Sequence, residues 1–96
     1  MYSRKRDKFL SYRIFYTKDA MKDVEIVKKS PFYQKTKELL NIIRENPFQT
    51  PPKYEKLIGN YKGAFSRRIN IQHRLVYEVI ENEKIIKIIS MWKHYE

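Results

Sequence analysis

Cysteine is absent from this chain of 96 residues, and glycine and proline are scarce, with 2 and 4 residues respectively. Without cysteine, disulfides and thiolate metal sites are excluded. The two histidines, His73 and His94, do not form a pair at ligand spacing on one strand or helix of the sequence. We therefore expect any chemistry of this protein to need neither a metal nor another cofactor.

Long apolar runs are absent from the sequence as well. The basic start, Met-Tyr-Ser-Arg-Lys-Arg-Asp-Lys, precedes an apolar stretch that is too short and too interrupted for a signal peptide or a membrane span. We therefore expect a cytoplasmic protein.

Acidic residues are few relative to basic ones. The 11 Asp and Glu residues are outnumbered by 21 Lys and Arg residues, which gives a formal net charge of +10. Such a charge favours a polyanionic partner through electrostatic steering and the release of counterions. Nucleic acid is the first partner that this charge indicates, and an acidic protein or a membrane surface is the second.

The length and composition of the chain indicate one packed domain. Ninety-six residues, of which 42% are hydrophobic and 15% aromatic, are enough for a single core and leave no room for a second domain. The first ten residues carry four basic side chains before any periodic pattern begins. We interpret residues 1–10 as a solvated basic arm and residues 11–96 as the domain.

The amino-terminal half predicts one strand and two helices. Aromatic and β-branched residues at 11–16 are typical of a strand. Apolar residues at helical spacing predict a first helix over 18–29, with Thr17 as its N-cap. A second helix is predicted over about 31–46, because Ser30 followed by proline is a common helix start.

The carboxy-terminal half predicts antiparallel sheet. Runs rich in β-branched residues predict strands over 64–71, 73–80 and 84–91, and a short polar connection at 81–83 joins the last two. The element order is then β-α-α-β-β-β. This order predicts an α+β fold in which a helical hairpin packs on one face of a small, mainly antiparallel sheet.

Alternation along the predicted strands separates two neighbouring arginines. Arg67 shares a face with the apolar residues Phe65 and Ile69, whereas Arg68 lies on the opposite, polar face. Arg74 likewise points away from the face that carries Leu75. Because the helices cover one face only, we expect the other face to be open and lined by arginines.

Glu55 is the one acidic residue among six basic ones between residues 53 and 74. Such surroundings favour its ionised form and direct it toward any anion that the arginines bind. Each signal also has an ordinary structural explanation. Glu55 could form a surface salt bridge, the arginine pair could protect a sheet edge from aggregation, and His94 could be a polar residue near a terminus.

Taken together, these residues suggest cleavage of RNA without a metal. The reaction requires a base for the 2′-hydroxyl proton, cations for the charge of the transition state, and an acid for the departing 5′-oxygen. Glu55, the arginines and His94 are suited to these three roles. Aromatic residues between the cations could stack on unpaired bases or could equally belong to the core.

The same residues lie in five recognisable motifs: Asn-Pro-Phe-Gln at 46–49, Tyr-Glu-Lys-Leu at 54–57, Ala-Phe-Ser-Arg-Arg-Ile at 64–69, His-Arg-Leu-Val-Tyr at 73–77 and the terminal Lys-His-Tyr. Over about residues 12–95 the chain resembles a YoeB-type (Txe/YoeB) toxin of the RelE superfamily of bacterial toxin–antitoxin systems. The resemblance implies a RelE-like fold and a ribosome-dependent endoribonuclease. Such an enzyme cuts messenger RNA in the ribosomal A site and so inhibits translation.

The resemblance implies catalytic roles at matching positions. Glu55 matches the general base of the family, Arg74 the arginine that stabilises the transition state, and His94 the general acid. Tyr95 matches the functional tyrosine beside that histidine.

Phosphate contacts are implied in the same way. Arg67 and Arg68 match the paired arginines of the family, and strand alternation favours Arg68 as the phosphate contact. Ile58 stands where the family commonly has a lysine, so we expect Lys56 or Lys62 to supply that charge.

The resemblance also implies partners. These are a cognate antitoxin whose acidic carboxy-terminal segment folds over the toxin, the ribosome with its messenger RNA, operator DNA bound only together with the antitoxin, and a second copy of the toxin in a homodimer. No membrane partner is implied. The alternative function is that of an inactive homologue that binds RNA or the ribosome, or serves as a co-repressor partner.

Overall fold

The computed structural model describes residues 11–92, so the predictions for the arm at 1–10, His94 and Tyr95 lie outside the described residues. Two α-helices and five strands make up most of the fold. In chain order they are β1 (Arg13–Tyr16), α1 (Lys18–Lys28), α2 (Tyr33–Glu45), β2 (Tyr54–Lys56), β3 (Phe65–Arg68), β4 (Arg74–Ile80) and β5 (Ile85–Ser90).

The five strands form one sheet in the order β1-β5-β4-β3-β2. Strand β1 pairs in parallel with β5, and all other pairs are antiparallel. The predicted α+β class and the mainly antiparallel sheet are therefore confirmed. The predicted element order lacked strand β2, which has only three residues and follows two prolines, so no alternating pattern marks it.

The starts of the two helices differ in how well the sequence predicts them. Thr17 caps α1 as expected, since its side-chain oxygen accepts a hydrogen bond of 3.1 Å from the Ala20 amide. The second helix begins at Tyr33 and not at residue 31. Ser30 instead donates to the Val27 carbonyl at 2.8 Å and accepts from the Phe32 amide at 3.1 Å, so it stabilises the turn between the helices.

The two helices pack on the sheet, and the hydrophobic core lies between them and the strands. The core contains apolar residues of both helices and of the two longest strands: Ala20, Val27, Leu39, Ile43, Leu75, Tyr77, Ile86 and Ile88. Burial of these side chains is the main favourable contribution to folding. Neither helix in the described part of the chain is long and apolar enough to cross a membrane.

The end of strand β5 is held by contacts to α1 and to the start of β4. Thr17 donates a side-chain hydrogen bond of 3.0 Å to the Ile89 carbonyl. The buried carboxylate of Asp23 accepts one of 2.9 Å from the Met91 amide. One residue further on, the indole ring of Trp92 stacks on the imidazole ring of His73. These contacts fix the course of the chain as far as Trp92.

Candidate anion-binding site

Strands β2, β3 and β4 bring four polar side chains to one face of the sheet. Glu55 lies opposite Ser66, and Arg68 lies opposite Arg74. Directly opposite residues of antiparallel strands point to the same face, and so do residues two apart on one strand. The expected convergence of Glu55, Arg68 and Arg74 on the face away from Leu75 is therefore present.

Glu55 and Arg74 form an ion pair on this face. The Arg74 Nη1 atom donates to Glu55 Oε1 at 3.0 Å, and the two side chains are 18% and 47% exposed. Ion pairs this close to water contribute about 0–1 kcal/mol to stability. An anion that contacts Arg74 can therefore displace the carboxylate at little cost.

A pocket of about 380 Å³ opens next to this ion pair. Its lining comprises four cationic residues, one carboxylate and two uncharged residues: Lys35, Lys53, Arg68, Arg74, Glu55, Ser66 and Pro52. Four positive charges around one negative charge attract an anion, and arginine donors suit the oxygens of a phosphate group. The pocket can thus bind a phosphodiester beside a carboxylate.

The neighbouring residue Arg67 is not part of this pocket. Its side chain is fully buried, and its guanidinium donates to the Tyr77 hydroxyl at 2.9 Å, to the Pro52 carbonyl at 2.6 Å and to the Pro47 carbonyl at 3.0 Å. The Tyr54 ring lies 5.1 Å from the guanidinium carbon. This burial contradicts the expectation that Arg67 contacts phosphate, because each of its three guanidinium nitrogens donates to an acceptor inside the protein.

Tyr77, which accepts a hydrogen bond from Arg67, is buried as well. Burial raises the pKa of its phenol above the ordinary value, and the nearby Arg67 offsets part of that rise. The protonated hydroxyl donates a hydrogen bond of 2.8 Å to the Pro47 carbonyl. Arg67 and Tyr77 together fasten the proline-rich loop before β2 to the sheet, and so position Glu55.

The lysines of the pocket are not those that the sequence indicated. Lys56 follows Glu55 in β2 and lies opposite Phe65, so it points to the other face of the sheet. Lys62 is exposed in the loop before β3 and does not line the pocket. Lys35 of helix α2 and Lys53 line it instead. Lys35 could not be found from the sequence, because only the packing of α2 brings it close.

Two further positions complete the description of the site. Ile58, at the position of the expected family lysine, is 84% exposed. His73 is the residue before Arg74, and its imidazole ring is stacked on the indole ring of Trp92. Within residues 11–92, no group of three or more His, Cys, Asp or Glu side chains is arranged to hold a metal ion.

Together, the fold and the pocket define a small basic α+β protein with a candidate anion site on its sheet. Residues 15–95 match the family described as YoeB-like toxin of bacterial type II toxin-antitoxin system. The match covers most of the chain, so the protein belongs to this family, and its resemblance to the RelE superfamily is confirmed.

Similarity to a named relative supports this assignment. The chain is 41% identical over 58 residues to the toxin YoeB of Synechocystis sp. strain PCC 6803, a segment that covers 60% of this chain and 65% of that relative. The aligned part thus spans slightly less than two thirds of the relative.

Solved structures are similar over nearly their whole length. The YoeB/ParE toxin from Agrobacterium tumefaciens superposes with a TM-score of 0.79 at 28% identity, covering 86% of this chain and 99% of that one. YoeB from Staphylococcus aureus is similar in a heterotetrameric complex with YefM, with a TM-score of 0.73, 38% identity and coverage of 88% and 98%. As a dimer, the same toxin gives a TM-score of 0.76, 36% identity and coverage of 88% and 99%.

Proposed function

We propose that this protein is the toxin of a type II toxin–antitoxin system and acts as a ribosome-dependent messenger-RNA endoribonuclease. The observation that carries the proposal is the pocket in which Glu55 is paired with Arg74 among three further cations. A carboxylate next to several phosphate-binding groups is the arrangement that cleavage by the 2′-hydroxyl of RNA requires.

In the proposed reaction, the scissile phosphate enters the pocket between Arg68 and Arg74. Glu55, released from its ion pair, accepts the proton of the adjacent 2′-hydroxyl, whose oxygen forms a bond to phosphorus. The arginines stabilise the extra negative charge of the pentacoordinate transition state. The bond to the 5′-oxygen then breaks, and that oxygen takes a proton from His94, which leaves a 2′,3′-cyclic phosphate. No metal takes part.

Chain connectivity supports the role of His94. Trp92 is held against His73, the residue before Arg74. His94 is two residues beyond Trp92 in the sequence. This connection along the chain supports the proposal that His94 is the general acid, with Tyr95 as the functional tyrosine beside it.

The proposal includes the partners that this chemistry and charge require. A protein with a net charge of +10 suits the ribosome and its messenger RNA in the cytoplasm, and an antitoxin with an acidic carboxy-terminal segment. The complex of YoeB with YefM and the YoeB dimer in Staphylococcus aureus support an antitoxin partner and a homodimer. Operator DNA would be bound only together with the antitoxin.

Expression without antitoxin tests the proposal. We expect the wild type to arrest translation and to produce messenger-RNA ends within the A-site codon, with a cyclic phosphate on the upstream fragment and no loss of cleavage in EDTA. Arg74→Ala and His94→Gln should each lower cleavage at least a hundredfold. Lys62→Ala is the matched control, because it removes one exposed cation outside the pocket.

The alternative is a basic module that binds RNA or the ribosome without cutting it. Such a module would give no new messenger-RNA ends with the wild type. Equal cleavage by the wild type, Arg74→Ala and His94→Gln would instead show that the site lies elsewhere.

A further inference from the structure

Ser66 is buried next to the ion pair without a hydrogen-bond partner. Its side chain lies in strand β3 and is 1% exposed. Among residues 11–92, its Oγ atom is the only buried side-chain nitrogen or oxygen that lacks such a partner. A buried hydroxyl without a partner costs about 1–3 kcal/mol, so native proteins retain few of them without a reason.

The neighbours of Ser66 explain why its hydroxyl is unpaired within the protein. On one side it lies opposite Glu55, whose carboxylate oxygen is hydrogen-bonded to Arg74. On the other side it lies opposite Val76, which is buried and has no polar side-chain group. Arg68 is two residues further along the same face of β3.

Ser66 nevertheless lines the pocket, together with Glu55, Arg68 and Arg74. An anion held by the two arginines would lie over the part of β3 to which the hydroxyl belongs. Alanine would fill the same space without an unpaired oxygen, so packing alone gives no reason for a hydroxyl at this position.

We propose that Ser66 contacts the substrate, with its hydroxyl donating a hydrogen bond to a non-bridging oxygen of the scissile phosphodiester. The phosphate takes the place of the Glu55 carboxylate on Arg74 and supplies the partner that Ser66 lacks. This inference rests on the proposed function in so far as the anion is an RNA phosphodiester. Ser66 thereby completes a set of three donors around the phosphate, with Arg68 and Arg74.

Binding of a substrate analogue tests this contact. The probe is a short single-stranded RNA in which 2′-deoxyribose at the cleavage position prevents the reaction, and its binding to the purified protein is measured by fluorescence anisotropy. We expect Ser66→Ala to weaken binding about tenfold, as for one hydrogen bond to a charged group. Its melting temperature should be unchanged or higher, because an unpaired buried hydroxyl has been removed.

Two controls separate the contact from general effects. Ser90→Ala removes another buried serine hydroxyl, on strand β5 and outside the pocket lining, and should change binding less than twofold. An RNA with a methylphosphonate at the cleavage position lacks the charge of that phosphate. The wild type and Ser66→Ala should bind this second RNA with similar affinity, because the contacted oxygen is altered.

The outcomes distinguish this inference from the proposed function. Wild-type affinity and cleavage in Ser66→Ala would overturn the inference and leave the nuclease proposal intact. A lower melting temperature in parallel with weaker binding would also overturn it, because Ser66 would then have a structural role. Weaker RNA binding by Ser66→Ala, with a wild type that does not cut messenger RNA on ribosomes, would retain the phosphate contact and contradict the nuclease.

Discussion

The imidazole ring of His73 and the indole ring of Trp92 are stacked, with centroids 3.7 Å apart and planes 11° from parallel. The contact joins the start of strand β4, one residue before Arg74, to the end of the described chain. Phe32 lies on the same indole, with ring centroids 6.4 Å apart. Trp92 therefore links the helical layer, the pocket strand and the segment that carries His94.

Replacing Trp92 by alanine should reduce activity more than stability. A stacked aromatic pair contributes about 0.5–1.5 kcal/mol beyond burial of its area, so the domain should remain folded. The chain that leads to His94 would lose its attachment near Arg74, and we expect cleavage on ribosomes to fall at least tenfold. Trp92→Phe keeps an aromatic ring and should be intermediate. Full activity in Trp92→Ala would show that the stack does not position the general acid.

Arg67 and Arg68 are adjacent in sequence and should respond differently to the same substitution. Arg67→Lys removes buried hydrogen bonds to the Tyr77 hydroxyl and two carbonyl oxygens, so it should lower the free energy of unfolding by about 2–4 kcal/mol. Arg68→Lys changes an exposed side chain and should alter that energy by less than about 0.5 kcal/mol. Urea unfolding measures both. RNA binding should be weakened in the folded Arg68 variant, and equal stability losses would contradict the assigned roles.

The raised pKa of Tyr77 predicts that the protein loses stability at alkaline pH. Burial raises its pKa above the ordinary value of 10.0, which means that the folded state favours the protonated phenol. The contribution is fully present below pH 10 and is lost as the pH rises through the folded-state pKa. We expect urea stability to decline in that window, and the phenolate absorbance of Tyr77 to develop at a higher pH than that of free tyrosine.

The Tyr77→Phe variant serves as the control for this titration. It should be less stable at neutral pH by about 1–3 kcal/mol, because the Arg67 Nε–H loses its acceptor. Its stability should also depend less on alkaline pH. Burial raises the pKa values of Tyr12 and Tyr16 as well, so a smaller dependence will remain. An unchanged dependence would mean that Tyr77 ionises as an exposed phenol does.

Deletion of the last three residues should separate folding from activity. The described contacts of the β5 end stop at Trp92, so removal of His94, Tyr95 and Glu96 leaves all of them in place. We expect the shortened chain to fold, to bind its antitoxin and to fail to arrest translation. Circular dichroism, co-purification with the antitoxin and a growth assay measure these three properties. Unfolding of the shortened chain would instead show that the terminus is structural.

Much of the fold could be predicted from the sequence because its signals are local. The capping oxygen of Thr17 precedes a run with helical spacing, and the structure shows that cap. Polar residues at 81–83 predicted a short connection between two strands, and the chain turns there through a single helical turn at Glu81–Glu83. Strand β2 was not predicted, because its three residues are too few for a periodic pattern.

The candidate site, too, could be predicted only in part from the sequence. Alternation along β3 placed Arg67 and Arg68 on opposite faces, and the structure agrees: Arg67 is buried and Arg68 is exposed. Alternation alone did not reveal that the guanidinium of Arg67 donates hydrogen bonds to the carbonyl oxygens of Pro47 and Pro52. Nor did it reveal that Lys35 lines the pocket, since helix packing decides which helical residue meets a strand from the other half of the chain.

The sequence by itself determined the fold class, the family and the opposite faces of Arg67 and Arg68, because these depend on composition, motifs and the twofold period of a strand. Only the tertiary structure decided which cations surround Glu55 and which hydroxyl beneath them lacks a partner. The contact between Glu55 and Arg74 spans 19 positions of the chain, and the one between Asp23 and Met91 spans 68. Such contacts arise from the packing of whole elements, which no local pattern encodes.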